Sequence, residues 1–320
     1  MNAAATPWHE GERAMQTLAG VRERMEAFGA RVLRDHMPDQ HRDFFVQLPF
    51  LVVGSLDAAS QPWASVLAAP PGFAHSPDPR RLRIDALPAD GDPLAQALAP
   101  AAPIGLLGIE PHTRRRNRMN GVVASVDGAG FSVDVQQSFG NCPKYIQARE
   151  PVFVEGAPAA AAPQWTDRLD AAARRLIGEA DTFFIATAHP SAGRGGAAQG
   201  VDVSHRGGRP GFVQVSGEGT LTAPDFVGNA FFNTLGNIAV NPRAGLLFID
   251  FERGDLLQLA VRAEVIWDGP ELAAFAGAER LLRMQVVSVL HRPGALPLRW
   301  GRAAPSPFLA PTGRWPEHPL

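Results

Sequence analysis

The chain is expected to be mainly β: two tandem small barrels with flanking helices, packed on each other as an intramolecular pseudo-dimer. Three observations point there. Short apolar runs bounded by Gly, Pro, Asn and Asp recur along both halves, and helical periodicity is confined to a few stretches. The 320 residues exceed one ordinary core and suit two domains of about 150 each. The order helix, strand, strand, short helix, long strands also occurs twice, with local echoes in matching order. Phe50-Leu51-Val52-Val53-Gly54 matches Phe183-Phe184-Ile185-Ala186-Thr187, Pro71-Gly72-Phe73 matches Pro210-Gly211-Phe212, and Ile104-Gly105-Leu106-Leu107 matches Ala244-Gly245-Leu246-Leu247. Ordered self-similarity of this kind indicates duplication.

In residues 11–36, Met15, Leu18, Val21, Met25, Phe28 and Val32 recur at steps of three and four, which predicts one long helix. A second helix is expected over 40–47. Strands follow over 50–55, 63–69 and 81–86, then a short helix over 93–98. Further strands are expected over 104–109, 121–126 and 131–137, the last two joined by Asp127-Gly128-Ala129-Gly130. Residues 143–149 read as helical. The Ala- and Pro-rich stretch 156–163 reads as a linker, and Thr166 as the N-cap of a helix running to Glu179. Strands restart over 182–188, 200–204, 212–216 and 220–223, followed by a helix over 229–238. Strands over 245–251 and 256–267, a helix over 270–278 and a strand over 281–290 complete the pattern. The expected division is 1–155 for the N-terminal helix and first barrel, 156–164 for the linker, and 165–320 for the second barrel and tail.

The bulk numbers exclude several classes. Net charge is −2, so no global field attracts nucleic acid or an anionic membrane. A single cysteine leaves no disulfide framework and no multi-cysteine metal site. No apolar run approaches the roughly 20 residues of a bilayer span, and the N-terminus lacks the pattern of a signal peptide. A cytoplasmic protein is expected, with no nucleic-acid or membrane partner; a homodimer of the whole chain is left open. His9-Glu10 and His189 have no metal-ligand spacing, so no metal is expected.

Two residue sets carry the candidate chemistry, one per half. The first half has Arg114-Arg115-Arg116-Asn117-Arg118, then Asn120-Gly121, then Asn141-Cys142-Pro143-Lys144. The second has Asp202-Val203-Ser204-His205-Arg206-Gly207-Gly208, then Gly228-Asn229 and Asn237. If the halves pack together, the sets meet and make one site for an anionic ligand held by guanidinium forks, an ammonium, hydroxyls and main chain. On an extended strand Ser204 and Arg206 share a face, and Gly207-Gly208 lets backbone approach a planar group. Each feature has a bland alternative: a solvated arginine turn, a glycine hairpin, Asn229 and Asn237 as helix caps, Cys142 as a packed side chain, and Trp8, Trp63 and Trp165 as core.

These motifs resemble the flavin-nucleotide-binding proteins related to pyridoxamine 5′-phosphate oxidase, which have the FMN-binding split-barrel fold. The likeness over residues 181–267 rests on the strand Asp202 to Gly208, on Pro210-Gly211-Phe212-Val213, Thr220-Leu221, Pro224-Asp225, Gly228-Asn229 and Asn237-Ile238, and on Asn241-Pro242-Arg243-Ala244-Gly245-Leu246-Leu247-Phe248. The family's Arg-x-Asn-Gly and Cys-x-Lys segments are matched by Arg118 to Gly121 and Cys142 to Lys144, in the other half. The opening His9-Glu10-Gly11-Glu12 and Pro62-Trp63-Ala64-Ser65 resemble a two-barrel subgroup. The resemblance implies FMN between the barrels, with Arg116, Arg118, Asn120, Lys144, Asp202, Ser204, Arg206, Gly207, Asn229 and Asn237 as candidate cofactor-binding residues. It implies an oxidoreductase acting on a small-molecule substrate, with NAD(P)H or a separate reductase as electron donor; a non-catalytic flavin- or haem-binding protein is the alternative. No catalytic acid or base is singled out. The sequence departs from the pattern where Leu259-Ala260-Val261-Arg262 stands against Arg-x-Asn-Gly, and where Trp63 to Ala69 stands against Asp202 to Gly208. One composite site is therefore expected to be intact and its twin lost.

Overall fold

The computed structural model describes residues 6–154 and 161–316, so residues 156–160 of the expected linker lie outside it. Three helices open the chain: α1 (Glu10–Leu18), α2 (Arg22–Val32) and α3 (Asp39–Val46). The single helix expected over 11–36 is broken because Gly20 takes a φ of +68° between α1 and α2, a conformation open to glycine at little cost. His9 caps α1. Its Nδ1 accepts from Gly11 N at 3.1 Å, and Glu12 accepts from His9 N at 3.0 Å, which closes a capping box.

The first sheet contains β1 (Phe50–Leu56), β2 (Pro62–Ala68), β3 (Ala74–Asp78), β4 (Arg81–Ile84), β5 (Pro103–Glu110), β6 (Arg115–Val126) and β7 (Phe131–Gly140), with α4 (Leu94–Ala97) before β5. After β8 (Pro151–Phe153), β9 (Gln164–Thr166) and α5 (Ala171–Glu179) comes the second sheet. It holds β10 (Thr182–Ala188), β11 (Val201–Gly207), β12 (Gln214–Ser216), β13 (Thr220–Phe226), β14 (Arg243–Ile249), β15 (Leu256–Ile266) and β16 (Ala278–Arg292). α6 (Asn233–Val240) precedes β14, α7 (Pro270–Ala274) precedes β16, and β17 (Leu298–Trp300) follows. The sheet orders are β2-β1-β5-β6-β7-β4-β3 and β11-β10-β14-β15-β16-β13-β12, the same topology twice, with β9 added on β16. The fold is thus two antiparallel split barrels forming an intramolecular pseudo-dimer.

Several boundaries differ from expectation. Residues 143–149 form no helix, because Tyr145 takes a φ of +65°. Thr166 lies in β9, and the N-cap of α5 is Asp170, whose side chain accepts from Ala173 N at 2.7 Å. The arginine run is no turn: from Arg115 onward it is the first part of β6. α6 starts at Asn233 and not near 229, since Ala230 and Phe232 take φ values of +61° and +63° ahead of it.

The strand registers fix how the halves correspond. Leu107 pairs with Arg118 and Leu247 with Gln258. Val53 pairs with Ser65, and Ile185 with Ser204. Arg118 is therefore equivalent to Gln258, Asn120 to Ala260, Ser204 to Ser65, and Asp202 to Trp63. The alignment of Arg118–Gly121 with 259–262 was one residue out; the structural partners are 258–261. Gly105 and Gly245 are equivalent too, and for one reason. A Cβ on Gly105 would lie 2.7 Å from Val201 O, and one on Gly245 would lie 2.3 Å from Pro62 O. Each is a place where one barrel's backbone touches the other's.

Each barrel encloses its own core, around Phe45, Leu51, Leu106 and Phe131 in the first and Phe183, Leu246, Phe248 and Leu282 in the second. A third apolar cluster lies between them, joining Phe50, Val52, Leu107 and Ile109 to Phe184, Val203, Leu247 and Ile249. Burial of such surface contributes on the order of 25 cal/mol per Å², and it holds the sheets face to face without help from the linker. Two elements cross the expected 155/165 boundary: α1 packs on α6, and β8 pairs with β17.

Candidate functional site

A cleft of about 480 Å³ lies between the barrels. The first barrel supplies Leu107 from β5 and Arg116 and Arg118 from β6; Val21 follows from the α1–α2 turn and Arg24 from α2. The second supplies Ser204 to Arg206 from β11, Asp225 and Phe226 from the end of β13, the loop 227–232, the start of α6, and Glu279 and Arg280 from β16. Alternation along β6 brings Arg116 and Arg118, and not Asn117, to the cleft. Five guanidiniums face two carboxylates in this lining.

The guanidiniums differ in how far they are neutralised. Arg118 is buried, ion-pairs with Asp202 at 2.6 Å, and donates to Asn233 Oδ1 at 2.9 Å and Ser204 Oγ at 2.5 Å. Its Nε has no partner among the described residues. Arg206 and Arg280 share Asp225, and Arg280 also pairs with Glu279. Arg116 meets only neutral groups: Cys142 O at 2.7 Å, His205 Nδ1 at 3.1 Å and His205 O at 3.3 Å. Burial, with Arg118 and Arg206 close by, pulls Arg116 down to about 10. It still carries its charge at neutral pH, and that charge has no carboxylate partner among the described residues. Burial, reinforced by Arg116, pushes His205 well below the usual imidazole range, so it is neutral. Its Nδ1 accepts from Arg116, which leaves the proton on Nε2.

The N-terminus of α6 forms part of the same wall. Phe232 precedes it in the left-handed region, with no side-chain cap. Thr234 and Leu235 are buried, yet their N–H groups, like that of Asn233, meet no acceptor among the described residues. Buried N–H groups without partners are rare in proteins, and a helix N-terminus with free donors is suited to an anion. Ser204 lies beside it, accepting from Thr234 Oγ1 at 2.8 Å.

Of the ten residues selected from the sequence, Arg116, Arg118, Ser204, Arg206 and Asn229 line the cleft. Lys144 and Gly207 line a recess of about 70 Å³, and it shares Arg116, His205 and Arg206 with the cleft. Asn120, Asp202 and Asn237 are buried outside the lining. Asp202 is the counter-ion of Arg118, with its carboxyl pushed upward by burial. Asn237 donates to Thr187 Oγ1 at 3.1 Å. Asn229 accepts from Phe231 N at 3.2 Å and shapes the loop before α6. Gly207 is required by protein rather than by a ring: a Cβ there would lie 2.0 Å from Tyr145 O.

Sequence reasoning passed over Asn233, Thr234, Arg280 and Glu12. Asn233 joins the halves, accepting from Arg118 and donating to Glu12 Oε1 at 2.5 Å. Glu12 is buried on α1, and burial raises its carboxyl to about 8. The sequence signal for Glu12 was the capping box His9-x-x-Glu12; nothing local marked the other three. His9, Glu10 and His189 also converge, with ligand atoms within 4.8 Å of one another. However, His9 Nδ1 accepts from Gly11 N at 3.1 Å and His189 Nδ1 from Ser191 N at 3.0 Å. Both Nε2 atoms therefore carry protons, which leaves no imidazole lone pair for a metal.

Fold and cleft together define a two-barrel, mainly β protein with a cationic cleft at the barrel interface. No family model matches the chain, and no curated protein matches it. Among solved structures, HupZ of Group A Streptococcus is similar at 15% identity and a TM-score of 0.29, over 37% of this chain and 89% of that one. The heme storage protein HutZ of Vibrio cholerae is 16% identical at a TM-score of 0.27, over 39% of this chain and 95% of that one. A FAD-binding protein of Mesorhizobium loti is 12% identical at a TM-score of 0.27, over 42% and 99%. The functional reading rests on the topology and the cleft, not on these distant likenesses. No described helix is long and apolar enough to cross a membrane.

Proposed function

We propose that the chain is a flavin-nucleotide-binding protein of the pyridoxamine 5′-phosphate oxidase-like class, holding one FMN between its barrels and working as an oxidoreductase. The observation that carries this is the wall on which Arg118 of one barrel meets Ser204 and the uncapped start of α6 of the other. A phosphate there would take the free N–H groups of Asn233, Thr234 and Leu235 and the idle Nε of Arg118. Leu107, Phe226, Phe232 and Leu235 supply apolar surface for a planar ring in the same cleft. A bound flavin would supply the electron chemistry; the protein binds, orients and excludes water. An external donor such as NAD(P)H or a reductase would feed it, and the reaction is proposed to take place in the cytoplasm.

The visible spectrum of the purified protein tests this directly. Flavin bands are expected, released as FMN on heating and bleached by NAD(P)H or a reductase. A Soret band would instead favour haem. Among the described histidines only His205 lines the cleft, and its protonated Nε2 is a poor axial ligand. Protein that shows no flavin bands, and still shows none after incubation with FMN and removal of the unbound FMN, would overturn the proposal.

A further inference from the structure

We propose that Glu12 is a positioning residue for the anion seat at the start of α6. Reaching across from α1, it keeps the Asn233 side chain off the helix N–H groups and turned toward Arg118, so that the seat stands open for a phosphate. This rests on the reading that the start of α6 holds the flavin phosphate.

The start of α6 carries two side chains able to close it. Asn and Thr side chains readily accept from nearby backbone N–H groups, and Asn233 and Thr234 are the first two residues of the helix. Neither side chain does so. Thr234 Oγ1 donates to Ser204 Oγ at 2.8 Å. Asn233 is held at both ends of its amide: Oδ1 accepts from Arg118 at 2.9 Å, and Nδ2 donates to Glu12 Oε1 at 2.5 Å. The polarity of that amide is forced. A guanidinium only donates, so the amide oxygen faces Arg118 and the NH2 group needs an acceptor on its other side. Glu12 is that acceptor, 221 residues away in sequence.

Glu12 is itself fixed. Its second oxygen accepts from His9 N at 3.0 Å. Around it α1 and α6 approach backbone to backbone: a Cβ on Gly11 would lie 2.1 Å from Gly236 O, and one on Gly236 would lie 2.6 Å from Glu12 Cγ. One turn further along α1, the buried Gln16 donates to Phe231 O at 3.3 Å, in the loop that leads into α6. The Phe231 ring lies 5.2 Å from Trp8 and 6.0 Å from Phe28. The N-terminal helices thus hold both the loop and the first residue of α6, and Glu12 is the contact that reaches Arg118 through Asn233.

Glu12→Gln tests this with little change of shape. It keeps an oxygen for His9 N but turns an NH2 group toward the NH2 group of Asn233; two donors cannot pair, so Asn233 must turn away. The backbone amide signals of Asn233, Thr234 and Leu235 in ¹H–¹⁵N spectra report the seat, titrated with inorganic phosphate, FMN and riboflavin at fixed pH and salt. Phosphate and FMN are expected to shift these signals in the parent. Glu12→Gln should weaken both about 10-fold, the equivalent of one charge-assisted hydrogen bond, and leave riboflavin, which lacks the phosphate, unchanged. Asn233→Ala can neither cap nor bridge, so adding Glu12→Gln to it should change phosphate and FMN affinity by no more than about twofold. The inference fails if Glu12→Gln leaves phosphate and FMN affinity as they were, if it weakens riboflavin equally, or if it costs as much on top of Asn233→Ala. It fails too if phosphate leaves the three amides unmoved in the parent. If phosphate binds there and depends on Glu12 while FMN does not bind, the positioning role stands and the flavin reading falls.

Discussion

Arg118 and Gln258 occupy one position in two barrels, and each donates across the interface to the equivalent serine of the other: 2.5 Å to Ser204 and 3.2 Å to Ser65. The geometry is symmetric and the chemistry is not. At the first place a guanidinium lies beside Asp202, Arg206 and an uncapped helix. At the second an amide stands where the guanidinium would be, and the equivalents of Asp202 and Arg206 are Trp63 and Leu67. The space is taken by a buried ion pair, Arg292 to Asp92 at 2.5 Å, and Ser65 donates to Asp92 at 2.5 Å. After duplication, one site has kept donors for a ligand while its twin has been closed with the chain's own charges.

One FMN per chain is therefore expected, not two. Heat release followed by quantification against protein measures it. Two flavins per chain would show that the twin site is open despite Asp92 and Arg292.

The closing pair should matter for stability. Removing one partner of a buried ion pair typically costs about 3–5 kcal/mol, because the other charge is left uncompensated. Arg292→Met is expected to lower the unfolding free energy, obtained by denaturant titration, by an amount in that range, and Arg292→Met with Asp92→Leu to recover most of the loss. Equal instability in both variants would mean that packing, not charge, dominates there.

Arg118 should discriminate FMN from riboflavin. Arg118→Ala is expected to weaken FMN by about 1.5–3 kcal/mol, the range for a hydrogen bond to a charged group, and riboflavin much less. Isothermal titration of both ligands compares them; an equal loss would place Arg118 away from the phosphate.

The duplicated sheets and most strand positions were legible because strands buried on both faces, such as β1, β2, β5, β10 and β14, read as short apolar runs punctuated by turn residues. What was hidden is instructive. The helix broken at Gly20 keeps its apolar periodicity across the break, so periodicity alone joined α1 to α2. Residues 143–149 have helical composition, yet Tyr145 is held in the left-handed region by a contact with Gly207, far away in sequence. The resemblance marks Asp202 and Asn237 as cofactor contacts; their protein partners, Arg118 and Thr187, are known only from the fold. Asn233 and Thr234 gain their role from an uncapped helix start that depends on two left-handed residues before it.

Cutting the chain tests the shared site. Fragments 1–155 and 160–320 should each fail to hold FMN tightly, since Arg118 and Ser204 are then separated, and each would expose the apolar face now joining Val52 and Leu107 to Phe184 and Leu247. Mixing them should restore part of the binding. The second fragment also loses α1, which packs on α6, so its failure should be checked with residues 6–20 supplied as a peptide. If 160–320 alone binds FMN as well as the full chain, the cross-barrel site is wrong.

Glu12 should leave a pH signature. Burial raises its carboxyl to about 8, from an ordinary value of 4.5. Between those values the folded state holds a proton that the unfolded state releases, so this group makes stability fall as pH rises. His9 acts in the opposite sense at lower pH: burial depresses it to about 4 from 6.5, so its contribution makes stability rise across that interval. The two offset below pH 6.5, and the Glu12 effect stands clear from there to about pH 8. Glu12→Gln keeps the acceptor for His9 N and removes the titration. Its unfolding midpoint should match the parent near pH 4.5, exceed it increasingly up to about pH 8 and keep a constant margin above that, measured by denaturant titration at fixed salt. Parallel pH profiles for the two proteins would show that Glu12 is ionised in the fold, held by Arg118 and Asn233 more strongly than burial opposes it.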